Sequence, residues 1–491
     1  MRSHVGALVL TAAFAVLAGC AHSMSEIHAG PGTSLAPGVV WTPPPGTPMP
    51  AAVEAPRAPI PPELLEAAQH WTLPQLVDLA LRKSPQTRSA WAAARSAAAA
   101  YGSERGAYYP NLELDANVTR LRGSAAGGTI RFQQTSYGPT LIVNYLLLDL
   151  GGRAASVEEA RQALIAADWS HNAAIQDVVL AVEQAYYQFA EAKALREASL
   201  ADVNEARTNL DAADQRHAAG VATIADVLQA KTALAESQLS LDTVEGQIQT
   251  VKGALATAVG IPANTPFDVD VPVGDLPLDK VTKDVEELIR DAEARRPDLA
   301  AARSRAAAAR SHVDKVRSDG RLSLGLSGQL APIWYEGGGH QDTYTTALLL
   351  RVPLFSGYSQ RYNTLQAQAD ADRSEADLES LGQQVVYRVW ASYYNLMTAA
   401  QRVKTILTLV ESASESNEVA LGRYKAGVGS ILDLLVAQGG LSSARAQQVV
   451  ARADWFLSLA QLARETGTLW PPPEAPQVVT PSALGTTKGK P

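Results

Sequence analysis

The sequence predicts a mainly α-helical, internally duplicated protein in which long antiparallel coiled-coil helices carry four β-strands patterned for a membrane. Three observations lead there. The stretch "RHAAGVATIADVLQAK" at 216–231 returns at 423–438 as "RYKAGVGSILDLLVAQ", an offset of 207. From Arg153 to Ala218 there is neither proline nor glycine, so one helix there would extend ~100 Å. Upstream of each long helical stretch lie two segments in which apolar and polar residues alternate, the period of a strand with two unlike faces.

The bulk properties exclude more than they assert. With 42 basic and 50 acidic residues the net charge is −8, which leaves no basic surplus to replace the counterions of nucleic acid. Arg2, His4 and an apolar run from Val5 to Ala18 read as a signal peptide over 1–19, too short for the ~20 residues of a spanning helix. Cys20 is the only cysteine, so no intramolecular disulfide or cysteine zinc site can form. "LAGC" at 17–20 resembles the bacterial lipobox, which implies cleavage before Cys20 and a lipid on its sulfur. The alternative is a plain signal peptide with an incidental cysteine. Ala21 after the cysteine favours the outer membrane. Residues 20–62 are rich in proline and glycine and read as a lipid-anchored tether; 471–491 reads as a similar tail.

Two repeats lie between them, 63–270 and 271–470. "VVLAVEQAYYQFA" at 178–190 matches "VVYRVWASYYNLM" at 385–397 at offset 207, whereas "SPQTRSAWAAARSAAAA" from Ser84 matches "RPDLAAARSRAAAAR" from Arg296 at offset 212. A few residues are therefore lost between Pro297 and Ser356 in the second copy. Strands are expected at 111–120, 135–148, 321–330 and 343–355. In the first, Leu112, Leu114, Ala116 and Val118 share one face, and Glu113, Asp115, Asn117 and Thr119 the other. Segments of ~9–11 residues fit a membrane barrel but equally fit soluble hairpins; the anchor favours the barrel. Helices are expected over 152–218, 222–259, 357–425 and 429–465, with further helix over 84–100 and 297–319. Val227, Leu234, Leu241, Ile248 and Leu255 recur every seven residues with Ala230, Ser237, Val244, Val251 and Ala258 between them, the seam of a coiled coil. Leu434, Leu441, Gln448, Trp455 and Leu462 repeat it with one break. The return helix is shorter than the outgoing one; stacking 297–319 on it nearly restores the length, with the proline-rich 260–296 bulging out at the junction.

The duplicated stretch is then the pair of far turns. Gly220 and Gly427 permit a tight reversal, Thr223 and Ser430 can cap the returning helix, and Asp226 and Asp433 suit its first turn. Two strand–strand–helix–helix halves, glycine-marked tips, "DLGGR" and "FSGYSQR" after the second strands, and a lipobox together resemble the TolC-type outer membrane efflux proteins, lipid-anchored branch, over about residues 70–470. That resemblance implies a homotrimer in which each chain gives four strands to a twelve-stranded β-barrel in outer membrane lipid and its helices to a periplasmic α-barrel. It implies a passive channel of a tripartite efflux or export system. A periplasmic adaptor would dock on the tips at Arg216, Ala219, Gly220, Val221, Arg423, Ala426, Gly427 and Val428, joining the channel to an inner-membrane transporter, with an RND type favoured over an ABC type. Asp226 and Asp433 stand where relatives narrow the tube, so each is either a cap or an aperture residue; Val436 stands where some members carry a second acid. A periplasmic adaptor lipoprotein is the alternative, though two hairpins and lipid-patterned strands argue against it.

No catalytic arrangement accompanies this. The eight histidines form no H-E-x-x-H or i,i+4 pair, and neither a G-x-S-x-G elbow nor a P-loop occurs, so no enzyme, metal or cofactor is expected. Tyr186, Tyr187, Tyr393, Tyr394, Trp91, Trp169 and Trp455 are expected to pack in the core.

Overall fold

The computed structural model describes residues 71–125, 129–270, 276, 278 and 284–469; the signal peptide, Cys20, the tether and the tail at 471–491 lie outside them. In chain order the described elements are α1 (Leu73–Lys83), α2 (Pro85–Gly106), β1 (Asn111–Ala125), β2 (Ile130–Leu148), α3 (Gly152–Ala218) and α4 (Ile224–Val259). The second half follows with α5 (Val285–Arg295), α6 (Pro297–Asp319), β3 (Ser323–Tyr335), β4 (Gly339–Arg351), α7 (Ser359–Lys425) and α8 (Ile431–Glu465).

The helices divide as their lengths demand. α3 and α7 have 67 residues each, ~100 Å, while the returning α4 and α8 have 36 and 35. α4 and the 22-residue α2 both pack along α3, with the end of α4 at Gly260 against the start of α2 at Lys83–Ser84, so two short helices end to end match one long one; the 23-residue α6, expected to stack on α4, instead follows the end of α8, with Gly467 against Arg295–Arg296. α6 packs against both α3 and α7, which places it between the two long helices. Within α4 every position of the heptad seam is buried or half-buried, from Val227 and Ala230 at the tip to Leu255 at the far end. Outward positions such as Leu239 remain open. In the second half Leu434, Leu441, Ala444, Ala451, Trp455 and Leu462 are buried, and Gln448, the polar interruption, is half-buried. Part of the segment expected to bulge is instead ordered packing: Phe267 and Val269 are buried, Trp71 stacks on Phe267 with ring centroids 5.4 Å apart, and Val285–Arg295 is a helix against α7.

The strands form one antiparallel sheet in the order β1-β2-β3-β4. They run further from the helices than alternation alone suggested. β1 continues past residue 120 to Ala125, β2 starts at Ile130 rather than 135, β3 runs on from Ser323 to Tyr335, and β4 begins at Gly339. The ladder thus extends into the glycine-rich stretches between the expected strands: Gly123 pairs with Phe132, and in the second hairpin Tyr335 pairs with Gly339, with Gly337 and Gly338 at φ 113° and 96° making the turn. At its other end β4 stops at Arg351, short of the expected 355, because Val352–Phe355 have no strand beside them to pair with.

Three of the aromatic side chains expected in the core lie outside it. Tyr186 and Trp455 are buried, but Trp91 is 53% exposed beneath the Arg95 guanidinium, and Trp169 and Tyr394 also stay open. All three lie on helices with an uncovered side within a single chain.

The turn from sheet to long helix is the same in both halves, and sequence patterning does not reveal it. Leu150 and Gly151 take φ 51° and 101°; Gly357 and Tyr358, 207 residues on, take 64° and 66°. Each junction is thus a pair of left-handed residues, and in each one member is not glycine, at a cost of ~1–2 kcal/mol. Arg153 of "DLGGR" holds the first junction: its backbone N–H donates to Asp149 Oδ2 at 2.5 Å, its Nη2 to the Leu147 carbonyl at 3.2 Å, and its guanidinium lies over Tyr108.

Candidate functional site

The sheet has two chemically unlike faces, and the registers settle which residues share them. Leu112, Leu114, Ala116 and Val118 of β1 stand beside Val143, Leu141, Pro139 and Tyr137 of β2. These in turn adjoin Gly328, Leu330 and Trp334 of β3, and across β3 the same face continues through Leu350, Leu348 and Tyr344 of β4. The opposite face carries Glu113, Asp115, Asn117, Thr140, Asn144, Ser327, Gln329 and Arg351. The apolar face is bare: Leu114, Val118 and Tyr344 are 72%, 76% and 82% exposed. Leu112 to Val118 spans ~20 Å of strand, close to the ~25 Å lipid-facing band of a membrane barrel. Tyr137, stacked on Trp334, and Tyr344 border it as interfacial aromatics do. Among the described residues no helix is long and apolar enough to cross a membrane.

At the opposite end of α3 and α7 lie the two tips, built from the same local rules. Gly220 and Gly427 adopt φ 76° and 79°, and the chain reverses through backbone bonds from Val221 N–H to the Arg216 carbonyl (2.9 Å) and from Val428 N–H to the Arg423 carbonyl (3.0 Å). Thr223 and Ser430 then cap the returning helices. The Asp226 N–H donates to Thr223 Oγ1 at 3.3 Å while Asp226 Oδ2 accepts from the Thr223 N–H at 2.8 Å; Ser430 and Asp433 repeat this at 3.1 and 3.3 Å. Both carboxylates are thus engaged as caps. Val221 and Val428 project from the turns, 65% and 71% exposed, and Ala219 and Ala426 are exposed beside them.

The two arginines, matched in sequence, do different work. Arg216 reaches across to the other tip: its Nη1 donates to the Tyr424 carbonyl at 2.6 Å and its guanidinium sits 4.6 Å from the Tyr424 ring centroid. Burial raises the Tyr424 phenol pKa, the Arg216 charge opposing the shift in part. Arg423 stays exposed in a groove between α7 and α8 with Glu415, Val419, Leu432, Asp433 and Val436. The asymmetry follows from the next position, His217 in one copy and Tyr424 in the other: only the second supplies a ring for a guanidinium to cover.

Above the tips the seam between halves is polar, unlike the apolar seams within them. Asn209 Nδ2 donates to Gln438 Oε1 at 2.7 Å with both residues buried, Asn417 Nδ2 to Glu205 Oε1 at 2.7 Å, and Ser442 Oγ to Asp202 Oδ2 at 2.6 Å. Arg445 lies within 3.7 Å of both Asp202 and Glu205.

Midway along the molecule a second repeated feature anchors the returning helices. Gly260 and Gly467, 207 residues apart, end α4 and the turn after α8 at φ 84° and 73°. Each lies against the corner where one helix meets a Pro-led one: Gly260 on Lys83–Ser84, Gly467 on Arg295–Arg296. A β-carbon at either glycine would come within 3.1–3.2 Å of backbone atoms. In the second corner Arg296 is 1% exposed and donates two bonds to Asp298, from Nε at 3.0 Å and Nη2 at 2.7 Å, and others to the Glu465 carboxylate and carbonyl. Burial works to raise the Asp298 pKa, but the bonds and charge of Arg296 outweigh it and the net shift is downward. On α3, Glu183 is half-buried and its pKa is pushed up to about 7 by desolvation.

The comparisons agree with this geometry. The model of the family "Outer membrane efflux protein" matches residues 76–261 and 288–468, two segments whose starts are 212 apart and whose ends are 207 apart. Protein CyaE of Bordetella pertussis is 30% identical over 384 residues, 77% of this chain and 80% of that protein. Outer membrane protein TolC of Vibrio cholerae is 25% identical over 424 residues, 81% and 91% of the two chains. The solved structure of the outer membrane protein VceC from Vibrio cholerae superposes with a TM-score of 0.72 at 22% identity, covering 80% of this chain and 96% of that one. Two repeats of the family's length, in the family's order and on its fold, mean that the chain belongs to the outer membrane efflux protein family.

Proposed function

We propose that three copies of this chain close a twelve-stranded barrel in the outer membrane and continue inward as a helical tube, a passive channel of a tripartite efflux or export system. The sheet carries this reading. Four strands with one bare apolar face, one polar face and two open edges cannot stand in lipid, where unpaired backbone groups cost several kcal/mol each; self-association removes both edges. The chain catalyses no reaction; an inner-membrane transporter supplies the energy through a periplasmic adaptor. The lipobox and its resemblance to the lipid-anchored branch support acylation at Cys20 and a transporter of RND rather than ABC type.

The tips are the docking surface of this reading. Val221, Val428 and Arg423 are open to a partner, with Ala219, Ala426, Gly220 and Gly427 shaping the turns, whereas Arg216 acts between the tips. Asp226 and Asp433 sit at the narrow end, their carboxylates shared between capping and the aperture. Single-channel recording of the purified protein in planar bilayers tests the conduit, and absence of conductance from a folded trimer refutes it. For the docking surface, Val221→Asp with Val428→Asp abolishes export while the trimer stays in the membrane; unchanged export refutes that assignment. Arg423→Ala lowers export without lowering thermal stability, whereas Arg216→Ala lowers stability, since it strips the Tyr424 carbonyl and ring of their shared cation.

A further inference from the structure

β1 and β4 each present one edge with no strand beside it. If copies of the chain close a barrel, as proposed above, β4 of one meets β1 of the next, and the internal duplication dictates how. β1 and β3 are equivalent at offset 212, Asn111 corresponding to Ser323. Their paired residues, Asn144 and Arg351, make β2 and β4 equivalent at offset 207. These are the two offsets already present in the sequence. The β2–β3 pairing is the one joint between hairpins that a single chain contains, so its register transfers to the joint between chains.

The transfer is definite. Leu141 opposite Leu330 becomes Leu348 opposite Val118 of the neighbouring copy, and Val143 opposite Gly328 becomes Leu350 opposite its Ala116. Asn144 opposite Ser327 becomes Arg351 opposite the neighbouring copy's Asp115. We propose that Arg351 pairs with Asp115 of the next copy across this joint, an ion pair on the polar face that fixes the register of the closed barrel.

Three observations from one chain support it. Asp115 and Arg351 are both exposed, and neither has an ion pair or side-chain hydrogen bond among the described residues. The transferred register sets Leu348 and Leu350 opposite Val118 and Ala116 and Arg351 opposite Asp115, with Leu349 opposite Asn117 as the one leucine of the three set against a polar residue. A slip of one residue would set Leu348 and Leu350 against the polar face of β1. A slip of two would keep the faces but put Arg351 opposite Asn117, which has no charge, or Glu113, which already accepts from Asn111 at 2.9 Å.

Cysteine pairs in the full-length protein, purified in detergent, test the register. Directly opposed residues hold their β-carbons ~4.5–5.5 Å apart and diagonal ones ~7–8 Å, while a disulfide needs ~3.5–4.5 Å. Oxidised Asp115→Cys/Arg351→Cys should therefore give inter-subunit cross-links roughly 10-fold in excess of Glu113→Cys/Arg351→Cys and Asn117→Cys/Arg351→Cys. Equal or stronger cross-linking in either control overturns the register. Light scattering on the same samples separates the two levels of the argument. A trimer cross-linked in another register overturns this pairing alone, whereas a monomer overturns the barrel as well. For the charge, Asp115→Arg and Arg351→Asp should each lower the temperature at which the trimer dissociates in detergent, and the double exchange should restore it; a double variant no better than the singles overturns the ion pair.

Discussion

Replacing Arg296 by methionine keeps the length and apolar stem of the side chain but removes its positive charge from between two carboxylates. The side chain of Arg296 is fully buried, that of Glu465 is 8% exposed and that of Asp298 23%. Deleting one partner from such a cluster leaves buried charge without compensation, a loss of ~3–5 kcal/mol. At ~2.1 cal/mol/K of unfolding entropy per residue, the roughly 385 described residues convert that loss to a drop of ~4–6 °C at neutral pH. Trp71 and Trp455, both buried, make intrinsic fluorescence a suitable probe of unfolding in detergent. The pH dependence carries the sharper test. In the native protein the Asp298 pKa lies below the usual range, so its stabilising contribution is present above that range and is lost as pH falls through the lowered value. Without Arg296 the desolvation of Asp298 is opposed only by the Arg464 charge and the Leu299 N–H, its pKa rises, and the variant gains stability as it protonates. The gap between native and variant should therefore narrow between pH 7.5 and 4.5. A gap below about 1 °C at pH 7.5, or one that stays constant as pH falls, would refute the assignment of Arg296 as the charge that holds this corner.

Gly260→Ala and Gly467→Ala each force a left-handed backbone and a close backbone contact on a residue with a β-carbon, costing ~1–3 kcal/mol; Gly220→Ala, at the same φ sign but with open space around it, costs less, and thermal melts of the three should rank that way. Asn209→Ala leaves buried Gln438 without its donor and lowers stability by ~1–3 kcal/mol in the same assay. For Glu183, with its folded pKa about 7 and an ordinary value of 4.5, the native state holds its proton where the unfolded chain does not. Stability from this group is therefore full below pH 4.5 and falls as pH rises through 7, and Glu183→Gln should flatten that slope between pH 5 and 8. An unchanged slope would mean the carboxylate is solvated after all.

Periodic features were legible in the sequence and singular ones were not. The heptads of α4, the alternation of β1 and the two offsets are statements repeated several times along the chain, so each survives an exception such as Gln448. Capping at Thr223 and Ser430 was legible because it is local, a hydroxyl and a carboxylate three residues apart. Contacts between residues far apart in the chain follow no period. Nothing in the order of residues marks Arg296 as the partner of Glu465, or Arg216 as the cover for Tyr424 rather than a twin of Arg423. The strand ends at the hairpins are not marked by pattern, because glycine there suggests a loop, whereas the ladder tolerates it wherever the partner strand continues, as at Gly123 opposite Phe132, whose ring covers it. At the sheet-to-helix junctions glycine identified only half of each left-handed pair, since Leu150 and Tyr358 are held there by their surroundings. Trp91 shows the opposite error: a large aromatic on an amphipathic helix reads as core, yet α2 has a companion on one side only within the chain.

The two hairpins are unequal in height. Counted from the equivalent rows at Asn111 and Ser323, the first ladder continues to Ala125–Ile130 and the second ends at Tyr335–Gly339, two rows or ~7 Å sooner. A ring of six such hairpins would therefore be crenellated, tall merlons alternating with low gaps. Any bulky object settling on that parapet from outside would find three resting points instead of six, and trimming the taller hairpin by five residues would level the wall.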